Sequence, residues 1–224
     1  MPTNDRTSHL GLFNLCLSPL LISCVSLLLI SDGLAADLSI GRITDLRGTV
    51  TIRRPGVEKP DLAVRGTVFS AGDVLETGAY SFAQATFQDD FFVQLAPDSS
   101  IRVNQYSYDE KEQRRTAMIR EFRGLARFVA YKSIRNSRLR VETAQALTTT
   151  GPFADFVIGV SSCETEVAVL DRSVTLRNAS ALIIGELNLG VNQRAVVKEK
   201  APPGAPELIT PGQRKIYLNT FRRR

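Results

Sequence analysis

The chain has 224 residues, a formal net charge of +5 and 43% hydrophobic residues, which suits one full two-sheet core or one domain plus an anchor. Its one histidine, His9, and two of its three cysteines, Cys16 and Cys24, lie near the N-terminus. A mature chain without that region excludes Ser-His-Asp and Cys-His catalysis, histidine-ligated zinc and an internal disulfide.

The N-terminus carries an apolar run over residues 10–30, preceded by one arginine and followed by Gly-Leu-Ala-Ala at residues 33–36. This pattern is typical of a secretory signal peptide, which we predict over residues 1–36. Two alternatives stay open. The run is long enough to remain as an uncleaved membrane anchor, and Leu-Ile-Ser-Cys at residues 21–24 resembles a lipoprotein site with lipidation on Cys24.

Removal of the signal peptide leaves 27 Lys plus Arg against 21 Asp plus Glu, a net charge of +6. Cys163 is then the sole cysteine, and we predict that it is a buried small apolar residue; a reactive or intermolecular thiol is the alternative. Since no disulfide framework can form, stability must come from a β-sheet core.

The clearest strand pattern lies in residues 81–95. Small and apolar residues alternate with polar ones up to Phe87, and the alternation resumes at Phe91, as in half-buried strands. For both apolar sets to share a face, Phe87 must lie opposite Phe91, so residues 88–90 form a three-residue hairpin loop. Such loops need a residue at positive φ, and we predict Asp90 for that conformation.

Similar short strands are predicted along the rest of the chain, and two of them are expected to pair about Gly124. Residues 47–54 are also similar to residues 171–178, which indicates two copies of one strand and turn unit, with chance similarity as the alternative. The predicted strands are 40–46, 49–53, 101–108, 116–123, 125–131, 138–142, 156–160, 164–170 and 173–178.

These patterns predict an all-β fold, a β-roll or jelly-roll-like two-sheet domain of many short antiparallel strands, over residues 37–200. Residues 201–211 contain four prolines and are predicted to form an extended linker. The residues up to 224 are predicted to be a loosely packed basic tail.

Basic residues are concentrated at residues 111–140, where ten Lys and Arg stand against two Glu, a local balance of +8. Arginine grips planar anions well, so we predict a binding surface for an acidic protein face, an anionic polysaccharide or lipid headgroups, and no nucleic acid. An ordinary solvated sheet face is the alternative. The predicted binding residues, with two nearby tyrosines, are Tyr106, Tyr108, Arg114, Arg115, Arg120, Arg123, Arg127, Lys132, Arg135, Arg138 and Arg140.

Two carboxylate pairs could support catalysis, Asp89 with Asp90 and Glu164 with Glu166. Neighbouring residues on a strand point to opposite faces, so we interpret the aspartates as a solvated hairpin tip. We interpret the glutamates as a solvated strand face. We therefore expect no enzyme activity, no metal site and no cofactor.

Three segments resemble the periplasmic domain of the FecR (ferric-citrate regulator) family. They are Ala-Gly-Asp-Val-Leu-Glu-Thr-Gly at residues 71–78, the strand 81–87 with its acidic turn, and Leu-Ala-Pro-Asp-Ser-Ser-Ile at residues 95–101. The family usually has Asp-Gly-Ser at the hairpin tip, where this chain has Asp-Asp-Phe at residues 89–91, and Thr-Pro where this chain has Thr143-Ala144. In full-length relatives a cytoplasmic segment binds a sigma factor and a single span crosses the membrane. Only nine residues precede the apolar run here, so we expect a stand-alone form without the sigma-binding segment.

The resemblance implies an exported, non-enzymatic protein-interaction or signalling module of the cell envelope, with an envelope protein as its partner. We expect a periplasmic or otherwise exported location, with membrane anchoring if the apolar run is retained. One alternative is a carbohydrate- or peptidoglycan-binding module that uses Tyr106 and Tyr108. A second alternative is a periplasmic regulator linked to iron uptake.

Overall fold

The computed structural model describes residues 39–222, apart from the side chains at positions 121 and 122. The predicted signal peptide and its two alternatives, anchoring and lipidation at Cys24, lie outside the described residues. The elements in chain order are β1 (Ser39–Arg47), β2 (Val50–Arg53), β3 (Asp61–Leu62), β4 (Val68–Ser70), β5 (Val74–Thr77), β6 (Phe82–Phe87), β7 (Phe92–Leu95), β8 (Ser100–Asp109), β9 (Arg114–Ala130), β10 (Asn136–Glu142), β11 (Ala146–Thr150), β12 (Ala154–Val160), β13 (Glu164–Asp171), β14 (Val174–Asn178), β15 (Glu186–Leu189), β16 (Gln193–Lys198), β17 (Glu207–Leu208) and α1 (Pro211–Thr220).

The strands form two sheets that share β9, so the all-β fold predicted from the sequence is confirmed. Sheet A has the order β4, β1, β6, β7, the C-terminal half of β9, β12, β13, β16, β17, and all its neighbours are antiparallel. Sheet B has the order β3, β2, β5, β8, the N-terminal half of β9, β10, β11, β14, β15. Its β9–β10 pair is parallel. Through β9 the hydrogen bonding runs continuously over 17 strands.

The core lies between the two sheets. Alternation along each strand turns every second side chain inward, and the inward residues of both sheets form one cluster. Ile43, Val93 and Phe128 of sheet A and Ile52 and Ile119 of sheet B are at most 1% exposed. The core therefore depends on burial of aliphatic and aromatic side chains from both sheets.

The chain crosses repeatedly between the sheets, and most of these corners contain a residue with positive φ. A positive φ allows the backbone to change direction sharply. Glycine and short polar residues adopt it most readily. The corner residues are Gly48 (φ 72°), Gly66 (92°), Gly72 (93°), Tyr80 (55°), Asp98 (53°), Arg172 (68°) and Asn192 (59°).

The repeat predicted from residues 47–54 and 171–178 has the same topology in both copies. In the first copy β1 pairs with β4 while β2 pairs with β3. In the second copy β13 pairs with β16 while β14 pairs with β15. The aligned corner residues Gly48 and Arg172 share a left-handed conformation. The sequence similarity thus marks two equivalent corners.

The hairpin between β6 and β7 has the predicted register. Thr86 pairs with Phe92, and the Phe87 N–H donates to the Phe91 carbonyl at 2.8 Å. Asp90 has φ 66°, as predicted. The three-residue loop is therefore confirmed.

The strand pair predicted about Gly124 was wrong. Residues 114–130 form one long strand, β9, which passes from sheet B to sheet A. Gly124 (φ 86°) lies where the strand leaves one sheet for the other. The Leu125 N–H donates to the Ser99 Oγ at 3.0 Å, and this hydroxyl donates to the Leu125 carbonyl at 3.1 Å. Side-chain bonding thus satisfies the backbone at the bend.

The C-terminal residues differ from the predicted linker and loose tail. β17 pairs with β16, and α1 follows directly. The helix begins with a capping box, in which the Thr210 Oγ accepts from the Gln213 N–H at 3.2 Å and the Gln213 Oε1 accepts from the Thr210 N–H at 2.9 Å. Ile209 and Phe221 are buried against Phe82 on the outer face of sheet A. Apolar side chains at both ends of the helix therefore hold it on the sheet.

Cys163 is exposed, so the prediction of a buried thiol was wrong. It lies in the turn between β12 and β13, where strand alternation no longer directs a side chain into the core. Within residues 39–222, α1 is too short and too polar to cross a bilayer, and no other helix occurs.

Candidate functional site

Strand alternation distributes the basic residues of the 111–140 segment over three environments. On the sheet B half of β9, Arg114 and Arg120 point outward whereas Arg115 points into the core. Beyond the bend, Arg127 lies on the outer face of sheet A. The predicted site therefore does not form one continuous surface.

Asp89 is fully buried, so its prediction as part of a solvated hairpin tip was wrong. Its Oδ2 accepts from the Arg115 Nη1 at 2.6 Å, and both side chains are 0% exposed. The Tyr106 hydroxyl donates to the Asp89 Oδ1 at 2.7 Å. Arg115 also donates through Nη2 to the Ser137 Oγ at 2.6 Å. These bonds satisfy the two buried charges at the end of the core.

The same contacts remove Tyr106 and Arg115 from the predicted binding surface. Tyr106 is 9% exposed, and its ring lies 4.9 Å from that of Phe87. Burial, together with the hydrogen bond to Asp89 and its charge, raises the pKa of the Tyr106 hydroxyl. The Arg115 guanidinium lies 5.5 Å from the Phe91 ring. Both residues therefore stabilise the hairpin end of the fold.

Four other predicted residues lie apart from any shared site. Arg127 forms a bidentate pair with Asp155, with Nε–Oδ1 at 2.8 Å and Nη2–Oδ2 at 2.6 Å. The Lys132 Nζ lies 5.4 Å from the centre of the half-buried Tyr108 ring. Arg123 is exposed beside the bend of β9, and Arg135 is exposed ahead of β10. The two tyrosines thus provide no open aromatic platform for a sugar.

The outer face of sheet B does bring several arginines together. Cross-strand pairing places Arg102 beside Arg120, and β10 lies directly along β9 on its other side. Among the side chains of β8–β10 that the structure describes, five arginines and two acidic residues, Asp109 and Glu142, lie on this face. We call this surface the arginine face; its arginines are Arg102, Arg114, Arg120, Arg138 and Arg140.

Ion pairing on the arginine face is incomplete. Arg120 contacts Glu142 with Nε–Oε2 at 2.9 Å. Among the side chains that the structure describes, no carboxylate lies within 4.0 Å of Arg114, Arg138 or Arg140. The buried Nε of Arg140 has no hydrogen-bond partner among these residues. Several guanidinium groups are therefore available to an anion.

A groove of about 730 Å³ continues the arginine face toward β2. The segment after β2 forms its wall through Pro55 and Val57, while Val74 and Arg102 line the side formed by sheet B. Arg53 also lines the groove and pairs with Glu76 at 2.8 Å. Arg54 and Glu58 line it as well, so the groove combines apolar walls with guanidinium groups and one carboxylate.

The glutamate pair predicted as a solvated face is partly engaged. Glu166 accepts from the Arg194 Nη1 at 2.8 Å and, in a short hydrogen bond, from the Tyr217 hydroxyl of α1. Arg194 also binds Glu207 at 2.8 Å. Burial, followed by the hydrogen bond to Glu166 and its charge, raises the pKa of Tyr217 to about 12. Glu166 thus helps to dock the C-terminal helix, while Asp90 remains exposed at the hairpin tip.

Among residues 39–222 no group of three or more His, Cys, Asp and Glu side chains is placed to hold a metal ion.

Residues 73–175 match the family model described as FecR protein. This segment, a little under half of the chain, is therefore similar to the FecR family. All five residues of the arginine face lie within the matched segment, as do Asp89 and Arg115.

Two solved structures resemble the domain in fold, and both are of a candidate anti-sigma factor from Parabacteroides distasonis ATCC 8503. The structure at 1.65 Å resolution has 16% identity and a TM-score of 0.50, covering 65% of this chain and 64% of that chain. The structure at 2.50 Å resolution has 15% identity and a TM-score of 0.51, covering 65% and 63%. The match thus spans less than two thirds of each neighbour. No curated protein matches the chain.

Sequence reasoning missed two groups of residues on the surface. Arg102 lies nine residues before the basic segment, yet β8 places it beside Arg120. Glu166 accepts from Arg194 and Tyr217, and Arg194 also donates to Glu207, so residues of four elements meet. Alternation along β8 predicts that Arg102 points outward, and this was the one signal for it in the sequence. No local pattern indicated the contacts around Glu166.

Proposed function

We propose that this chain is an exported, non-enzymatic protein-interaction and signalling module of the cell envelope, of FecR type. The observation that carries the proposal is the FecR match over residues 73–175, within a two-sheet fold shared with a candidate anti-sigma factor. FecR-type and anti-sigma proteins act through other proteins, so the partner is a protein of the envelope. Export rests on the signal-peptide pattern of residues 1–36.

The contacts of the carboxylates support a binding role over a catalytic one. Asp89 is held by Arg115 and Tyr106 inside the core, out of reach of a substrate. Glu166 is shared between Arg194 and Tyr217. Each group thus has a structural role in holding elements together.

Affinity capture of the tagged full chain from a detergent extract of the envelope tests the proposal. We expect one protein to co-purify in a stoichiometric amount, and the tagged chain to fractionate with the exported proteins. Retention on purified peptidoglycan without any protein partner, or a cytosolic location of the tagged chain, would contradict the proposal. A link to iron uptake stays a prediction of the resemblance; induction of the partner by iron limitation would support it.

A further inference from the structure

We propose that the arginine face binds an acidic, extended segment of the protein partner, with the adjoining groove receiving one end of that segment. The inference rests on the proposed function, because it names the surface and the partner's chemistry for the same module. Arginine clusters recognise acidic motifs through charge-assisted hydrogen bonds.

The spacing of the guanidinium groups suits a chain that crosses the strands. Arg53, Val74, Arg102 and Arg120 form one cross-strand row over β2, β5, β8 and β9. Adjacent strands lie about 4.8 Å apart, so the row spans roughly 14 Å. Alternate residues of an extended peptide are about 6.6 Å apart, so a peptide of about five residues spans the row. Arg53 and Arg120 are already paired with Glu76 and Glu142, so in this row a peptide carboxylate would share an arginine with the carboxylate already bound to it.

The second row gives the surface its unbalanced charge. Arg138 lies beside Thr116 and Arg140 beside Met118 in the parallel β9–β10 pair. Neither arginine has a carboxylate within 4.0 Å among the described residues. A carboxylate brought to this row therefore gains new ion pairs without breaking existing ones.

Apolar residues between the charges favour a peptide over a simple anionic polymer. Met118 is partly exposed between the arginine rows, and Val57 is 47% exposed at the groove. Val74 also lines the groove. These side chains offer apolar contact to the peptide residues that lie between the acidic ones.

The outer face of sheet A differs from the arginine face. Helix α1 covers Phe82 and Leu170 on that face. Arg127 and Arg194 there are paired with Asp155 and Glu166. The arginine face is not covered by a helix, and its Arg138 and Arg140 have no carboxylate partner among the described side chains.

Binding of a fluorescein-labelled deca-glutamate peptide to the full chain, followed by fluorescence anisotropy, tests the inference. We expect binding that weakens steeply between about 0.05 M and about 0.3 M salt, and no binding of deca-glutamine. The variant R138E/R140E should weaken binding at least about tenfold, and R138Q/R140Q should weaken it less. The charge-matched control R65E/K200E, which changes two exposed residues outside the face, should stay within about twofold.

Three results would overturn the inference. These are equal losses in the control and R138E/R140E, no deca-glutamate binding at low salt, and R138E/R140E-sensitive binding to phosphatidylglycerol vesicles without peptide binding. Circular dichroism melting of each variant separates loss of binding from loss of fold.

Co-purification with the variants separates this inference from the proposed function. If an envelope protein co-purifies equally with wild type and R138E/R140E, the proposed function stands and the arginine face is not its docking surface. If no protein co-purifies with wild type although the peptide binds through the face, the proposed function fails instead.

Discussion

Among single residues, Asp89 and Arg115 differ most from their predicted environments, because both were expected at the surface. A charged pair at a hairpin tip is ordinarily solvated, yet here both side chains are 0% exposed. Tyr106 and Ser137 satisfy further hydrogen-bonding atoms of the pair. Burial of the pair costs desolvation energy. The structure tolerates this cost because each charge lies close to the opposite charge.

Replacement of Arg115 tests this role. Arg115→Met should lower the free energy of unfolding by about 4 kcal/mol, because Asp89 then remains buried without its partner charge. The exposed pair Arg120–Glu142 provides the matched control, and Arg120→Met should cost less than about 1 kcal/mol. Urea unfolding measures both. Equal losses in the two variants would show that the Asp89–Arg115 pair is solvated after all.

Cys163 gives a second prediction at the level of single residues. Since the thiol is exposed, it should react with a maleimide reagent in native buffer as fast as after denaturation. Cys163→Ser should change the free energy of unfolding by less than about 0.5 kcal/mol. Protection of the thiol until the protein unfolds, seen by mass spectrometry, would contradict the exposed turn.

Among the elements, β9 depends on its bend at Gly124. A Cβ added there would lie 2.4 Å from the Ser99 Oγ and 2.8 Å from the Ser99 Cα, at φ 86°. Gly66 has a similar φ of 92° but nothing within 4 Å of an added Cβ. Comparison of substitutions at the two positions therefore distinguishes the effect of steric contact from that of backbone strain.

Alanine substitution at these positions gives a paired prediction. Gly66→Ala should cost about 1 kcal/mol from left-handed strain alone. Gly124→Ala should cost at least about 3 kcal/mol, because the clash with the Ser99 backbone is added to the same strain. Thermal unfolding compares the two variants. Equal costs would mean that Ser99 moves aside freely.

Helix α1 is docked partly through a tyrosine with a raised pKa. The folded pKa of Tyr217 is about 12, above its ordinary value of 10.0, so the neutral hydroxyl is favoured in the folded protein. Its contribution to stability is therefore fully present below pH 10 and is lost as pH rises toward 12.

Because the pKa of Tyr217 is raised in the folded protein, the docking of α1 should weaken at high pH. Wild type should lose stability between pH 10 and pH 12 more steeply than Tyr217→Phe, which lacks the titrating hydroxyl. Urea unfolding at a series of pH values measures the difference. Tyr80, which is 90% exposed, provides the control, because Tyr80→Phe should leave the profile unchanged. Parallel profiles for wild type and Tyr217→Phe would exclude the Glu166 bond as a docking contact.

At the scale of the whole molecule, the shared strand β9 couples the two sheets. It is a central strand of both, with β8 and β10 beside one half and β7 and β12 beside the other. The outermost strands are much less bonded, since β3 and β17 have two residues each. Stability is therefore expected to be highest at the centre and lowest at both edges.

Hydrogen exchange followed by mass spectrometry tests this coupling. We expect the amides in both halves of β9 to exchange slowest and with similar rates, because neither sheet can open fully without it. Peptides that contain β3 or β17 should exchange fastest among the strands. Markedly different rates in the two halves of β9 would indicate that the sheets open independently.

Local sequence patterns were sufficient to predict the β6–β7 hairpin and the family resemblance. Period-two alternation fixed the β6–β7 register, and the three-residue loop fixed the positive φ of Asp90. The motifs at residues 71–101 were also sufficient to indicate the FecR family, which the match over residues 73–175 supports. These features depend on residues that are close together in the sequence, so short stretches of sequence are enough to predict them.

The tertiary structure alone decided which residues share a surface. Asp89 is buried because Arg115, 26 residues away, lies at the same end of the core. Arg102 joins Arg120 because β8 pairs with β9, and Tyr217 meets Glu166 across 51 residues. Alternation gives each strand two faces, but only the strand order and the bend at Gly124 decide which face is covered. The physical reason is that burial depends on contacts between distant segments, which no local pattern specifies.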